Sequence, residues 1–184
     1  MPRCKSCNNK FEQYQFLNKF CKGLDCQTAK AMFLLDKKKQ QNKKDWSKEK
    51  KERKEALKTR EDYYQETLKV FNEYIRKRDF NKPCISCDAP PLTYRISSGH
   101  FHPQGTYRNI ALNEDNSHGQ CWFNCNKNRH GNLSEYRPRL IKRIGQERVD
   151  NIDMLRNGTL KLSIPELIIL KEDYKKKIKS LKPL

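Results

Sequence analysis

Apolar residues are scarce in this 184-residue chain, 35% of it hydrophobic against 34% charged. That balance excludes a large buried core, and a small core usually needs a covalent or metal staple. Long hydrophobic runs are missing too. Stretches such as Ile168-Ile169-Leu170 fall far short of the about 20 residues that a bilayer-crossing helix requires, so no membrane partner is expected. Acidic residues are outnumbered, 22 against 40 Lys and Arg, which leaves a net charge of +18. A surplus of that size attracts polyanions, with a contribution to binding that falls steeply with salt. On charge alone, a basic ribosome-associated or membrane-surface protein is the plainer alternative. Met1-Pro2-Arg3-Cys4 runs straight into a cysteine motif instead of a signal peptide, and a cytoplasmic protein is therefore expected.

Cysteine, by contrast, is abundant. Cys84-x₂-Cys87 and Cys121-x₃-Cys125 stand on either side of 33 residues, and Cys4-x₂-Cys7 with Cys21-x₄-Cys26 packs four sulfurs into 23 residues. Without a secretory context these spacings favour zinc over disulfides. Two structural Zn²⁺ ions are expected, each held by four thiolates, and the net charge would then be about +14. The N-terminal site, with all four positions taken by Cys, should bind or brace instead of catalysing. Phe11, Tyr14, Phe16 and Phe20 would supply its small apolar filling.

Gly and Pro are absent from 29 to 80, a segment that reads as helix. From Lys37 to Arg60 there are twelve Lys/Arg against four Asp/Glu. Such a stretch is a solvated charged helix or linker, or one that tracks phosphates through Lys37, Lys38, Lys43, Lys44, Lys50, Lys51 and Arg53; the two are compatible. Leu57, Tyr64, Leu68, Phe71 and Ile75 then form an apolar stripe suited to packing on the same chain or on a second copy. Residues 84–132 are turn-rich and should hold short strands, then a helix entered near Cys121 or Asn124. Ser134 reads as the N-cap of a helix through about Arg156, with Leu140, Ile141, Ile144, Val149, Ile152 and Leu155 inward. Asn157-Gly158 stops it. Ser163 begins a last helix with Pro165 in its first turn and Leu167, Leu170, Tyr174, Ile178 and Leu181 on one face. Lys175, Lys176, Lys177, Lys179 and Lys182 crowd its end.

Within the clamped segment, Ser98-Gly99-His100-Phe101 suggests a turn or strand end where an imidazole is exposed. Neutral at pH 7, His100 is the best candidate general base for phosphodiester hydrolysis. No base-reading motif is evident, so shape and phosphate contacts should dominate.

The set Cys-x₂-Cys, Gly-His, Asn-x-His-x-x-Cys, Cys-Asn and Gly-Asn resembles the zinc-bearing HNH (ββα-metal) nucleases. More closely, Arg76 through Cys87 (RKRDFNKPCISC), Ser98-Gly99-His100, Asn113 through Tyr136 (NEDNSHGQCWFNCNKNRHGNLSEY) and Arg139 through Asp150 (RLIKRIGQERVD) resemble the lambdoid phage NinG/Rap recombination family. The resemblance spans nearly the whole chain. It implies a DNA endonuclease that cuts branched recombination intermediates such as Holliday junctions and D-loops, with catalytic Mg²⁺ or Mn²⁺. The alternative is a non-catalytic zinc-containing DNA-binding accessory protein. Carried over position by position, His100 would deprotonate water, Asn116 would orient the loop and base, and Asn126 would reach the divalent ion. His118 becomes a candidate phosphate or metal contact, and Lys127, Arg129 and His130 candidate DNA contacts. Many HNH nucleases have a metal-binding Asp before the first His; here Gly99 takes its place, leaving the ion to Asn126 and His118 or His102. The expected fold is α+β and mostly helical: a zinc ribbon or knuckle (1–28), a long basic helix (29–80), and a zinc-clamped ββα-metal core with C-terminal helices (81–184). Two symmetric cuts in a four-way junction need two active sites, which makes a C₂ homodimer the economical assembly.

Overall fold

A computed structural model describes residues 1–13, 15, 18–159 and 162–181. The chain divides into two compact units, Met1–Leu57 and Lys58–Leu184. It is α+β and mostly helical, as expected, with one two-stranded sheet. No helix among the described residues is long and apolar enough to cross a membrane.

In the first unit, Cys4, Phe11, Phe20 and Cys26 are buried together, with Phe33 packed against them. Tyr14 and Phe16, expected in the same filling, lie outside the described residues, as does Lys182 at the other end of the chain. Helix α1 (Leu24–Ala56) begins inside the cysteine cluster, so the cysteine module runs into the basic helix without a boundary at residue 28. At about 1.5 Å per residue its 33 residues reach roughly 50 Å.

The expected continuous helix over 29–80 is interrupted at Leu57–Thr59. Helix α2 (Arg60–Arg78) starts there because Thr59 makes a capping box: its Oγ1 accepts from Asp62 N, and Asp62 Oδ2 accepts from Thr59 N at 2.8 Å. Two orphan first-turn donors are satisfied, and a new helix starts without any Gly or Pro. Leu57 consequently drops out of the apolar stripe and stays exposed. Tyr64, Leu68, Phe71 and Ile75 are buried as expected, and what covers them is helix α5 (Ile164–Ser180) of the same chain. Thr67 Oγ1 donates to Leu167 O at 3.1 Å, and the Phe71 and Tyr174 rings meet edge-on at 5.1 Å. The stripe is therefore an intramolecular seam and is not free to pair two copies. Phe71 is fully buried in it, so Phe71→Ala should destabilise this unit by about 3–5 kcal/mol; a denaturant midpoint near wild type would disprove that placement.

Strand β1 (Ile96–His100) pairs antiparallel with β2 (Ser117–Cys121), Gly99 opposite His118 and His100 opposite Ser117. A 3₁₀ turn, Glu114–Asn116, leads into β2, and a π-helical turn, Trp122–Lys127, follows it. The anticipated Ser134–Arg156 helix is instead two, α3 (Leu133–Ile144) and α4 (Gln146–Leu155). Gly145 sits between them at φ +89, a conformation open to glycine and strained for other residues. The N-cap is Asn132, not Ser134, and Leu155 ends up exposed while Leu140, Val149 and Ile152 are buried. Helix α5 begins as read, with Ser163 and Glu166 forming a capping box and Pro165 in the first turn.

The end of α2 is locked to β2 by a buried carboxylate. Asp79 takes both oxygens to Arg78, one to Lys82 at 2.9 Å, and accepts Gly119 N at 2.9 Å. Burial alone would raise its pKa; the Arg78 pair, Lys82 and the amide overcome it and hold the group far below the usual carboxylate range. Arg78 also donates to Glu114 O and Ser117 O. The segment that carries Asn116 is thereby pinned on α2.

Candidate metal and nuclease site

Each cysteine set comes together with all four sulfurs within 4.8 Å of one another. Measured separations are 3.8 Å for Cys7–Cys21, 3.9 Å for Cys84–Cys125 and 3.6 Å for Cys87–Cys121. A tetrahedral Zn²⁺ with bonds of about 2.3 Å requires sulfurs about 3.8 Å apart. Both quartets fit the ion. Backbone amides support the sulfurs: Cys121 N donates to Cys84 Sγ at 3.2 Å, and Cys21 N to Cys4 Sγ at 3.3 Å. Burial and neighbouring sulfurs push the Cys125 thiol up to about 12, so a cation is needed to ionise the whole set at neutral pH.

The second quartet holds the sheet at its outer end, and a cleft of about 270 Å³ opens at the other. Asn72, Ser98, His100, Asn126, His130 and the Pro103-Gln104-Gly105 turn contribute to its walls. His100 and Asn126 are thus brought together in one cleft. The His100 ring is half-buried instead of exposed, lying 6.2 Å from Phe71 between ring centroids. Its Nε2 is 3.1 Å from Ala111 O. A carbonyl only accepts, so Nε2 carries the proton and Nδ1 of the neutral ring is left as a base. Burial lowers the pKa to about 4, against the opposing pull of the Ala111 carbonyl.

Asn126 Nδ2 donates to Ser97 Oγ at 3.1 Å, which fixes its amide. Asn116 is fully buried outside the cleft. Its Oδ1 accepts His102 N at 2.8 Å, and its Nδ2 donates to His102 O and Ile110 O. This one side chain closes the loop from 102 to 110 and so sets Ala111 under the His100 ring.

Two expectations need correction. His118 does not reach the cleft. His100 pairs with Ser117, so the alternation of a strand puts His118 on the opposite face, buried with Nδ1 3.4 Å from the Tyr136 hydroxyl. Burial drives its pKa to about 3, with Arg78 adding to the effect. His102 is buried too, Nε2 2.7 Å from Asp153 Oδ1, and anchors the loop on α4. Neither is placed to hold an ion in the cleft. Gly99 has a steric reason: a Cβ there would collide with the Gln120 side chain, 2.9 Å from its Cβ.

His130 was expected only as a DNA contact beside Arg129, yet it lines the same cleft as His100. His130, Gly131 and Asn132 all take positive φ, turning the chain sharply between the π-helical turn and α3. Arg129 is exposed, and Lys127 lies over the Trp122 ring at 5.6 Å. Lys37, Lys38, Lys43, Lys44, Lys50, Lys51 and Arg53 are all exposed on α1. Gln40, Lys43, Lys44, Ser47, Lys48 and Lys51 share one face of that helix, and Arg53 meets Glu49 at 2.6 Å.

The family model for the bacteriophage lambda NinG protein matches residues 1–183. The chain belongs to the NinG family. It is 38% identical over 130 residues to protein ninG of Escherichia phage lambda, covering 71% of this chain and 62% of that protein. Against protein ninG of Escherichia phage 933W the identity is 36%, and against that of Salmonella phage P22 it is 34%, over 71% of this chain and 63% of each relative. The chain thus spans less than two thirds of the length of these family members. No solved structure matches it.

Proposed function

We propose that this chain is a metal-dependent endonuclease acting on branched DNA, such as Holliday junctions and D-loops, in phage recombination. The observation that carries the reading is His100, its Nε2–H fixed on Ala111 O and its Nδ1 left as a base in a cleft shared with Asn126 and His130. The order supports a ββα-metal core: His100 ends the first strand, Asn116 precedes the second, and Asn126 lies in the helical turn after it. His100 takes a proton from water, the water oxygen attacks phosphorus, and the phosphorus–oxygen bond to the leaving strand breaks. Asn126 and His130 are the side chains that would hold Mg²⁺ or Mn²⁺, whose charge would neutralise the scissile phosphate. Among the described residues no carboxylate lines the cleft, so DNA phosphate oxygens and water would complete the ligand set.

That lack of a carboxylate, with the exposed lysines of α1, also favours the second reading, a zinc-containing DNA-binding accessory protein without activity. A synthetic four-way junction separates the two: the endonuclease cuts it in Mg²⁺ or Mn²⁺, and the accessory protein binds without cutting. On either reading α1 tracks phosphates. Replacing Lys43, Lys44, Lys50 and Lys51 with Gln should lower the slope of log affinity against log salt by up to about 0.9 for each phosphate no longer neutralised. An unchanged slope in fluorescence anisotropy would remove α1 from the interface. Two symmetric cuts call for two active sites, and we propose a C₂ homodimer formed away from the α2 stripe that α5 covers. Sedimentation with and without junction DNA tests it, and a monomer in both rejects it.

A further inference from the structure

Phe123 stands 63% exposed at the start of the π-helical turn that carries Asn126, although a phenyl ring is usually buried. Its company gives the exposure a meaning. Trp122 beside it is half-buried, with Arg95 6.0 Å and Lys127 5.6 Å from its ring, and its amide donates to Arg95 O at 2.8 Å. Arg95, Lys127 and Arg129 are exposed, and none meets a carboxylate among the described residues. The two stretches that bear these residues, 89–113 and 116–134, contain no Asp or Glu. Solvent-facing rings set among such cations suit a polyanion that also offers flat apolar faces, which is nucleic acid.

We propose that Phe123 stacks on a base face laid open at the branch of a DNA junction, while Arg95 and Lys127 hold neighbouring phosphates. This rests on the branched-DNA part of the reading above, and it holds whether or not the chain cuts. In linear duplex each base pair is covered by its neighbours, and prising a step apart costs about as much as one ring returns by stacking. At a branch the strands change partners, and the steps next to the crossing are already loosened. The ring thus gives a preference for shape that charge cannot, since every stretch of duplex carries the same phosphates. Asn126 follows in the same turn, its amide fixed on Ser97, so a base held on Phe123 sets the branch beside the His100 cleft.

Binding of a fluorescent four-way junction and of a linear duplex of equal length, measured without Mg²⁺ or Mn²⁺ so that no strand is cut, tests this. Phe123→Ala should weaken junction affinity about five- to hundredfold and duplex affinity less than about twofold, with the melting temperature unchanged. Phe123→Tyr should keep the preference, because any aromatic face stacks; Phe123→Leu, apolar without a ring, should lose it. Arg95→Gln, which gives up only a phosphate contact, should weaken both DNAs alike. Equal losses on both DNAs in Phe123→Ala, wild-type junction affinity in that variant, or full recovery in Phe123→Leu would overturn the proposal. So would a change in the sedimentation of the free protein, which would make Phe123 a contact between copies. Should Phe123→Ala melt early, Phe123→Gln is read by the same criteria. Wild-type protein that binds junction and duplex equally would instead remove the branched-DNA reading, and this role with it.

Discussion

Cys121→Ser is expected to unfold the sheet and cleft of the second unit, whereas Cys21→Ser should leave that unit's melting transition in place. Cys121 ends β2, Cys125 lies in the π-helical turn, and Cys84 and Cys87 precede β1, so one ion would tie the segment before β1 to the end of β2 and to the turn that carries Asn126. Ten residues of two-stranded sheet cannot hold themselves in water. Structural zinc of this kind carries apparent binding energies on the order of 10 kcal/mol, comparable to the whole stability of a domain. Elemental analysis should find two zinc ions per chain, and one in each single-site variant. Because binding displaces protons from thiols such as Cys125, zinc affinity should fall as pH falls. A Cys121→Ser protein that melts like wild type would sink the structural role.

His100→Ala should reduce cleavage by about 10²–10⁴-fold while junction affinity, resting on Lys and Arg, stays nearly intact. Only the neutral ring can accept a proton. The cleavage rate should therefore hold as pH drops from 7 and fall as it passes about 4, where burial has placed the folded-state pKa. Linkage gives the same pKa a second consequence. Since the folded value lies below the ordinary 6.5, this histidine favours the folded state fully above pH 6.5. That contribution is lost as pH falls toward 4. Guanidinium titrations at pH 7 and 5 should show stability dropping in wild type and dropping less in His100→Ala. Near wild-type cutting by His100→Ala would exclude it as the base.

Much of this molecule was legible in local pattern. Cysteine spacing marked the four cysteine pairs, because sulfurs two to four residues apart can reach one ion from a single turn; bringing two pairs together across 13 or 33 residues is the work of the fold. The 3/4 spacing of Tyr64, Leu68, Phe71 and Ile75, and of Leu167, Leu170 and Tyr174, marked two helices with one apolar face each. Charge marked α1 as a solvated basic helix. Capping was legible in part: Ser163 with Pro165 marked the start of α5, whereas Thr59 and Asp62 start α2 within a segment where no Gly or Pro signals a break.

What tertiary structure decided was the partner of each of those faces and the side on which each polar residue falls. That α5 covers the α2 stripe is a long-range choice made by complementary apolar area, and no window along the chain contains both partners. Strand register put Ser117 opposite His100, and a slip of one residue would have exchanged the faces of His118 and Ser117. The left-handed turn at His130–Asn132 and the α2 contact at Phe71 likewise bring His130 and Asn72 to the His100 cleft from distant stretches of chain. Sequence by itself marked the cysteine pairs, the helical stretches and the candidate base, since each is a pattern within a few residues. Only the packed structure determined who shares the cleft with that base, because a cleft is a property of surfaces brought together across the fold.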